Sequence, residues 1–265
     1  MSTASLTYPP ARSSTTHLAG LVWTLIRTDF KTRYHGTIQG FLWALLKPLT
    51  MFLVLMGVFS FIFASEPAYR LNLIIGLFLW DFFVQSTTMG LISLHVKGYL
   101  LTKAKFPAWI IVVTSISNAL ITLVVFFVII LVALTVSGRA PAPWAVALFF
   151  WYLILFISIV IGFSLATSVW FLRYRDLNQV WDVTVHAGFF LAPIIYPLGI
   201  IPERYHFYFY LWPPTPVIEF SRSVLVSGVI PTPTAHMYLA LDAVLSLVAG
   251  IIIFRRFAPR AAEFV

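Results

Sequence analysis

The sequence predicts an all-α integral membrane protein with six transmembrane helices, an N-terminal amphipathic interface helix and a re-entrant outer segment before the last span. Three observations predict this fold class. Of the 265 residues, 60% are apolar and only 10% are charged, whereas a soluble domain carries about 25% charged residues. The apolar residues form long runs, and about 20 helical residues cross a hydrocarbon core. Lysine and arginine collect in alternate loops between these runs.

The six predicted spans lie near residues 41–64, 71–94, 109–136, 144–172, 183–198 and 237–254. Thirteen lysines and arginines fall on one side of this layout and only Arg70, Arg139, Arg204 and Arg222 on the other. Because cytoplasmic loops carry the excess of basic residues, both termini are predicted to be cytoplasmic. The same rule explains the net charge of +8 without a nucleic-acid partner. We expect two regions, a cytoplasmic N-terminal part with an interface helix at 1–36 and a single transmembrane domain at 37–265.

An amphipathic helix is predicted before the first span. Its apolar residues recur at helical spacing, and polar and basic residues occupy the other face. The apolar set is Leu18, Leu21, Val22, Leu25, Ile26 and Phe30. Such a helix lies flat on the inner leaflet, either as a simple anchor or as a docking element for a partner. The first twenty residues hold no continuous apolar stretch, so no cleaved secretory signal is expected.

The segment at 199–236 is long, proline-rich and aromatic, and it is too interrupted to cross the membrane as one helix. It is predicted to enter from the outer face and return. Irregular backbone at membrane depth is tolerated only where protein or a water-filled cavity satisfies its polar groups, so an outer vestibule is expected. The alternative is an ordinary extracellular loop with a belt of interfacial tyrosine and tryptophan.

The short motifs of common enzymes are missing from the sequence. It holds no Gly-x-Ser-x-Gly elbow, no His-Glu-x-x-His zinc pair and no closely spaced acidic pair. Cysteine is also missing, which excludes thiolate and disulfide chemistry. His186, alone inside a predicted span, is expected to be a hydrogen-bonded structural residue. Asp81 should face protein or water, either paired with a neighbouring helix or in an energetic role.

No phosphate-binding loop of the Gly-x-x-x-x-Gly-Lys-Ser/Thr type occurs in the sequence. We therefore predict no catalytic site, no metal and no cofactor bound by this chain, with any ATP handled by another subunit.

Five regions of the sequence together carry a family pattern. They are RTDFKTRYHGTIQGFLWALLKPL at 27–49, HVKGYLLTKAKFP at 95–107, RYRDLNQVWDV with LAPIIYPL at 173–198, WPPTPVIEFSRSVLVSG at 212–228 and FRRFAPRAAEFV at 254–265. In order and spacing they resemble the type-2 ABC transporter permeases that export O-antigen, capsule or teichoic-acid polysaccharides. One departure is Trp212 and Pro213, which stand where that family commonly has Asn-Pro, so no role of that asparagine carries over.

The resemblance implies a homodimer in a bacterial inner membrane that works with two copies of an ABC nucleotide-binding subunit, which holds ATP and Mg. The implied cargo is a lipid-linked polysaccharide that moves outward between the two copies, with membrane lipids around them. A cyclic dimer is also the commonest closed assembly. Two other functions are the alternatives to this interpretation. The first is a membrane-embedded glycosyl or acyl transferase, which would need converging acidic or histidine residues. The second is a proton-coupled carrier, which would usually show an internal repeat between its halves.

Four groups of candidate site residues follow from this interpretation. The ATPase-coupling group is His95, Lys97, Tyr99, Lys103, Lys105, Phe106, Arg173, Arg175 and Asp176. The group proposed for the lipid diphosphate is Arg27, Lys31, Arg33 and Lys47, since cations form charge-assisted hydrogen bonds with phosphate. The channel-lining aromatic group is Trp80, Phe82, Phe83, Tyr196 and Trp212, and the outer-gate group is Pro193, Pro197, Pro213, Glu219 and Arg222.

The coupling group has one alternative interpretation. The lysines of the first inner loop could instead only set topology and contact anionic lipid. In the second inner loop, Arg173 or Arg175 could pair with Asp176 or Asp182 and hold the loop rigid, because residues three or four apart share a helix face.

Overall fold

The computed structural model describes residues 14–34, 40–66, 68–103 and 106–261, and this part of the chain contains helices and turns without a β-strand. The helices are α1 Ser14–Tyr34, α2 Gly40–Ile62, α3 Tyr69–Lys97, α4 Tyr99–Lys103, α5 Trp109–Ser115, α6 Ser117–Val136, α7 Pro143–Arg173, α8 Leu177–Leu191, α9 Glu203–Tyr210, α10 Pro214–Arg222 and α11 Pro233–Ala261. A 3₁₀ turn spans Leu198–Ile200, and a π-helical turn at Ser223–Ser227 continues α10.

Five helical stretches are long and apolar enough to cross a membrane. They are α2, α3, the pair α5 and α6, α7 and the Pro233–Pro259 part of α11. They coincide with five of the six ranges predicted from the sequence, with boundaries that differ by a few residues. The single residue Ile116 separates α5 from α6.

The remaining predicted range, 183–198, differs from the structure. Helix α8 has 15 residues, which gives a length of about 22 Å against a hydrocarbon core of about 30 Å. It begins six residues earlier than predicted and ends at Leu191. The reason is Pro193, because the residue before a proline is pushed out of the helical region. Ala192 accordingly has φ −73° and ψ 136°.

Helices α7 and α11 run in the same direction. Near their starts Tyr152 Oη lies 2.7 Å from His236 Nε2, and further along Ser246 Oγ donates to the Ile159 carbonyl at 3.1 Å. Near their ends Leu172 and Phe254 pack in one apolar cluster. Residues 174–232 must therefore carry the chain back from the end of α7 to the start of α11, and we call them the return segment.

The two ends of the helix bundle differ in charge. We call the end that carries Lys97, Arg173 and Arg255 the basic end. The opposite end carries the starts of α3, α7 and α11 and the later part of the return segment.

Helix α3 is the central element of the bundle. Its buried residues include Phe78, which stacks on Phe126 of α6 with ring centroids 4.0 Å apart. Gly90 lets α7 approach closely, because a Cβ there would lie 2.1 Å from Ser164 Oγ. Most of the apolar core surrounds this helix, so α3 sets the positions of both ends of the bundle.

Helix α1 packs against α5 and α6 through one face. The apolar residues predicted to share this face are half-buried, whereas Arg27, Lys31 and Arg33 are exposed. The aromatic residues Phe30 and Tyr34 contact Phe41 at the start of α2. This packing fixes α1 against the basic end.

Candidate functional site

The two loops at the basic end meet through one hydrogen bond. Arg175 Nη1, just after α7, donates to His95 Nε2 near the end of α3 at 2.7 Å. Since the guanidinium can only donate, Nε2 is the acceptor nitrogen of this imidazole. The His95 ring also packs edge-on against Phe171, with centroids 5.7 Å apart. Two segments that were predicted separately as coupling elements are thus joined by this contact.

Lys97 forms a second link at the basic end. Its ammonium contacts the carboxylate of Asp29 on α1 and donates to Ser115 Oγ of α5 at 2.8 Å. The side chains of Lys97 and Asp29 are only 19% and 16% exposed. Lys97 therefore ties α1 to α3 and α5, and it is not a free cation. Sequence reasoning missed Asp29, although an acid among the half-buried apolar residues of α1 was a signal for a buried partner.

The other residues predicted for coupling lie around these links. Arg173 lies over the ring of Tyr174 at 5.4 Å, and Asp176 is the residue before α8. Tyr99 begins α4 and is largely exposed, while Phe106 packs with the small apolar cluster of the basic end. The side chain of Lys103 and all of Lys105 lie outside the described residues.

The pairing predicted for the second loop is wrong. Within the described part of the chain, Arg175 bonds to His95 of α3, not to Asp176 or Asp182. Asp182 instead faces His186, whose Nδ1 donates to the Asp182 carbonyl at 2.7 Å and lies 3.6 Å from Oδ1. The His186 side chain is 76% exposed. A contact across 80 positions replaces a local pair, because the fold brings His95 within reach.

The residues predicted for a diphosphate lie on two helices. Arg27, Lys31 and Arg33 are exposed on α1, and Lys47 is exposed in the first third of α2. The charges of Lys47 and Arg33 both act on Asp81 of α3. Asp81 itself accepts a hydrogen bond from Gln85 of its own helix at 2.5 Å, so its nearest partner is not on a neighbouring helix.

Most of the residues predicted to line a channel belong to an aromatic cluster inside the single chain. The cluster consists of Trp80, Phe83, Trp181, Phe189 and Trp212, with ring centroids 5.8 to 6.4 Å apart between contacting members. Trp80 and Phe83 are buried. In this conformation they face other rings, and a lining role would require the cluster to open.

The other two lining candidates lie beside this cluster. Phe82 is buried against Phe156 of α7. Tyr196 is half-buried and donates from its hydroxyl to the Phe190 carbonyl at 2.9 Å.

Arg222 organises the opposite end of the bundle. It donates to the carbonyls of Asn72 at 2.9 Å, Ile194 at 3.0 Å and Pro193, and to Glu219 Oε1 at 2.8 Å. Gly76 makes room for the guanidinium, since a Cβ there would lie 2.6 Å from Arg222 Nη2. One side chain thus fastens the start of α3, the connection after α8 and α10 to one another.

The charge of Arg222 is balanced within this arrangement. Burial lowers the pKa of its guanidinium, and the carboxylate of Glu219 opposes that change. A buried cation is tolerated when acceptors surround it. Pro193 supplies one carbonyl, while Pro197 precedes the 3₁₀ turn and Pro213 precedes α10. The residues predicted as an outer gate therefore lie in one region, and a gating role stays a prediction.

The described residues contain no group of three histidine, cysteine, aspartate or glutamate side chains able to hold a metal ion. Long apolar helices with charged groups gathered toward their ends define a multi-pass helical membrane protein. The chain belongs to the ABC-2 type transporter family, whose model matches residues 20–226.

Relatives of known function extend this result to nearly the whole chain. The chain is 25% identical to the O-antigen export system permease protein RfbA of Klebsiella pneumoniae over 94% of its own length and 96% of that protein. A protein of the same name from Myxococcus xanthus is 29% identical over 70% of this chain and 71% of its own. The polysialic acid transport protein KpsM of Escherichia coli is 25% identical over 88% and 92%.

Proposed function

We propose that this chain is the transmembrane subunit of an ATP-binding cassette exporter that moves a lipid-linked polysaccharide out of the bacterial cytoplasm. The observation that carries the proposal is the similarity to export permeases along 94% of the chain. The relatives act on O-antigen and on polysialic acid by their names, so a long glycan is the cargo class they share. Permeases of this family normally work with an ATP-binding subunit.

The proposed orientation places the basic end in the cytoplasm and the opposite end outside the inner membrane. The positive-inside rule supports it, because lysine and arginine collect at the basic end. The return segment supports a sixth crossing, since α7 and α11 are parallel and the chain must pass between the two ends once more. Helix α8 and the turn and bend residues after it, 192–197, are the part of the return segment that makes this crossing.

The proposed partner is an ABC nucleotide-binding subunit, in two copies, docked on the basic end. The hydrogen bond between Arg175 and His95 would make the segment after α7 and the end of α3 move together. The pair of Lys97 with Asp29 would make α1 move with them. A displacement imposed there passes directly into α3, the central helix. ATP and Mg would be held by the partner, and this chain would supply no catalytic group.

The proposed pathway runs between two copies of the chain. Gln179, Asp182 and His186 recur along one face of α8, and all three are exposed in the single chain. Polar side chains at membrane depth face protein or water instead of lipid, so this face fits a second copy or a water-filled path. Exposed Arg27, Lys31, Arg33 and Lys47 would meet the diphosphate of the lipid carrier at the entrance.

The test begins with co-purification of the chain with a candidate ABC nucleotide-binding subunit, followed by surface-glycan assays of variants. Arg175→Ala removes the bond to His95, and we expect a severalfold loss of export with the complex still assembled. Arg256→Ala is the matched control, because it removes an exposed arginine at the same end and should export normally. Normal export by Arg175→Ala would remove this link from the mechanism. Unchanged surface glycan after deletion of the whole chain would overturn the proposed function.

A further inference from the structure

A pocket of about 290 Å³ opens at the opposite end of the bundle. It lies between the start of α3, the connection after α8 and the end of α10. Its lining includes Glu66, Tyr69, Asn72, Tyr196, Glu219 and Ser227. The volume is close to the lower limit of about 300 Å³ for small-ligand pockets, so it suits one compact unit rather than a polymer.

The pocket has a rigid wall. Arg222 is buried beside it, and all three guanidinium nitrogens already donate to protein oxygens. Four of its five N–H donors are used in these bonds, so a single N–H on Nη2 is all that this cation could offer to a ligand. Its effect is to hold the Glu219 carboxylate in place through Oε1, and within the described residues no donor bonds to the second oxygen of that carboxylate.

The groups left for a ligand are mainly acceptors. They are the carboxylates of Glu66 and Glu219 and the side-chain oxygen of Asn72, which is buried without a hydrogen-bond partner in the described part of the chain. A buried polar atom without a partner is costly, and a ligand donor would remove that cost. Two carboxylates disfavour an anion, so the chemistry selects a neutral molecule with several hydroxyl donors.

Two tyrosine rings complete the pocket. The Tyr69 hydroxyl donates to the Ile195 carbonyl at 2.7 Å, and the Tyr196 hydroxyl donates to the Phe190 carbonyl. With their hydroxyls engaged, the rings are fixed and offer apolar surface. Flat apolar surface beside carboxylate and amide acceptors is the combination that a sugar ring requires, because one face of the sugar carries C–H groups and its edge carries hydroxyls.

We propose that this pocket binds a single sugar unit of the exported glycan where the polymer leaves the permease. The inference rests on the proposed function. Binding at the exit through a few hydrogen bonds holds the emerging chain against backsliding while the transporter resets. Asn72, Glu66 and Glu219 accept from the sugar hydroxyls, and Arg222 is the positioning residue that holds Glu219 and the backbone of Asn72.

The test uses the absence of cysteine from the chain. Ser227→Cys places a unique thiol at the exposed rim of the pocket, and Thr234→Cys places one at the same end, outside the pocket lining. Both export-competent variants are labelled with a membrane-impermeant maleimide in cells that make the glycan and in cells that lack its first glycosyltransferase. We expect glycan to slow labelling of Ser227→Cys severalfold and to leave Thr234→Cys unchanged.

A second substitution identifies the acceptors. Asn72→Ala removes the unpartnered oxygen and keeps the backbone carbonyl that Arg222 needs, and Glu66→Ala removes an exposed carboxylate. Either change should abolish the protection of Ser227→Cys while membrane levels and Thr234→Cys labelling stay constant. Protection that survives both changes would overturn the proposal.

The remaining outcomes separate the pocket from the proposed function. Equal slowing of maleimide labelling at both cysteines would mean general shielding by glycan and would overturn the proposed sugar binding. Glycan export without protection of Ser227→Cys would also overturn the sugar binding but would leave the proposed function standing. Protection produced by added Mg²⁺ or Ca²⁺ in glycan-free cells would assign the pocket to a cation. Glycan export that does not depend on this chain would overturn both proposals.

Discussion

Lys97 and Arg222 show how single cations are accommodated in a chain with so few charges. Each is largely removed from water, and a desolvated charge is stable only when oppositely charged or polar atoms replace its hydration. Lys97 obtains a carboxylate and a hydroxyl, whereas Arg222 obtains three carbonyls and a carboxylate. In both cases the acceptors come from more than one segment of the chain, so satisfying the charge also fixes those segments relative to one another.

Loss of the Lys97 ammonium should loosen α1. Lys97→Met keeps the apolar stem but leaves the Asp29 carboxylate without its cation, and an unsatisfied buried group costs about 1–3 kcal/mol. We expect a lower thermal unfolding midpoint for the purified protein in detergent. Faster proteolysis within α1 should accompany it, because this contact holds that helix against α3 and α5.

The partner substitution provides the control for this pair. Asp29→Leu in the Lys97→Met background removes both charges and should recover part of the lost stability, because no carboxylate is then left without a cation. Equal unfolding midpoints for the Lys97→Met protein and the original protein would show that this contact contributes nothing to stability.

At the scale of elements, the crossing of α7 and α11 depends on two glycines. A Cβ at Gly250 would lie 2.1 Å from the carbonyl oxygen of Gly162, and a Cβ at Gly162 would lie 2.3 Å from the carbonyl oxygen of Ser246. Backbone atoms cannot swing aside as a flexible side chain does. Close approach of small residues is how helices associate in membranes, where lipid and protein are equally apolar.

Gly250→Ala should therefore destabilise the helix pair. Overpacking of a tight contact costs about 1–3 kcal/mol, and we expect a lower thermal midpoint in detergent together with reduced membrane levels. Gly20→Ala is the matched control, because nothing lies within 4 Å of a Cβ at that helical position. If both variants unfold at the same temperature as the original protein, the crossing is looser than the geometry indicates.

The elements also show what local sequence can predict. The membrane-spanning stretches α2 and α7 were predictable because a span requires only that one stretch be apolar and long enough to cross the membrane, whatever the rest of the chain does. Helix α8 was placed with the wrong extent because its first turns carry polar residues, Asn178, Gln179 and Asp182. A hydropathy pattern assigns such residues to a loop, whereas here they belong to a helix, with Gln179 and Asp182 exposed and Asn178 half-buried.

At the scale of the whole molecule, contacts between distant segments could not be predicted from local sequence patterns. Arg222 meets the Asn72 carbonyl across 150 positions, and Lys97 meets Asp29 across 68. The residue types were visible in the sequence, and Arg222 was named there as a gate residue. Its partners are backbone carbonyls, which carry no sequence signature. The aromatic cluster is a similar case, because helical phase alone did not distinguish rings that face one another from rings that face a path.

The direction of the helices makes a prediction about the whole chain. Because α3, α7 and α11 all run toward the basic end, and α1 is bound there through Asp29, the described parts nearest to both termini should lie on one side of the membrane. We introduce single cysteines at Thr28, Ser227 and Pro259, all at exposed positions, into the cysteine-free chain. An impermeant maleimide should label only Ser227→Cys in cells with an intact inner membrane. The other two should react once that membrane is opened. Labelling of Thr28→Cys and Pro259→Cys from different sides would mean an odd number of crossings, and would exclude a membrane crossing by the return segment.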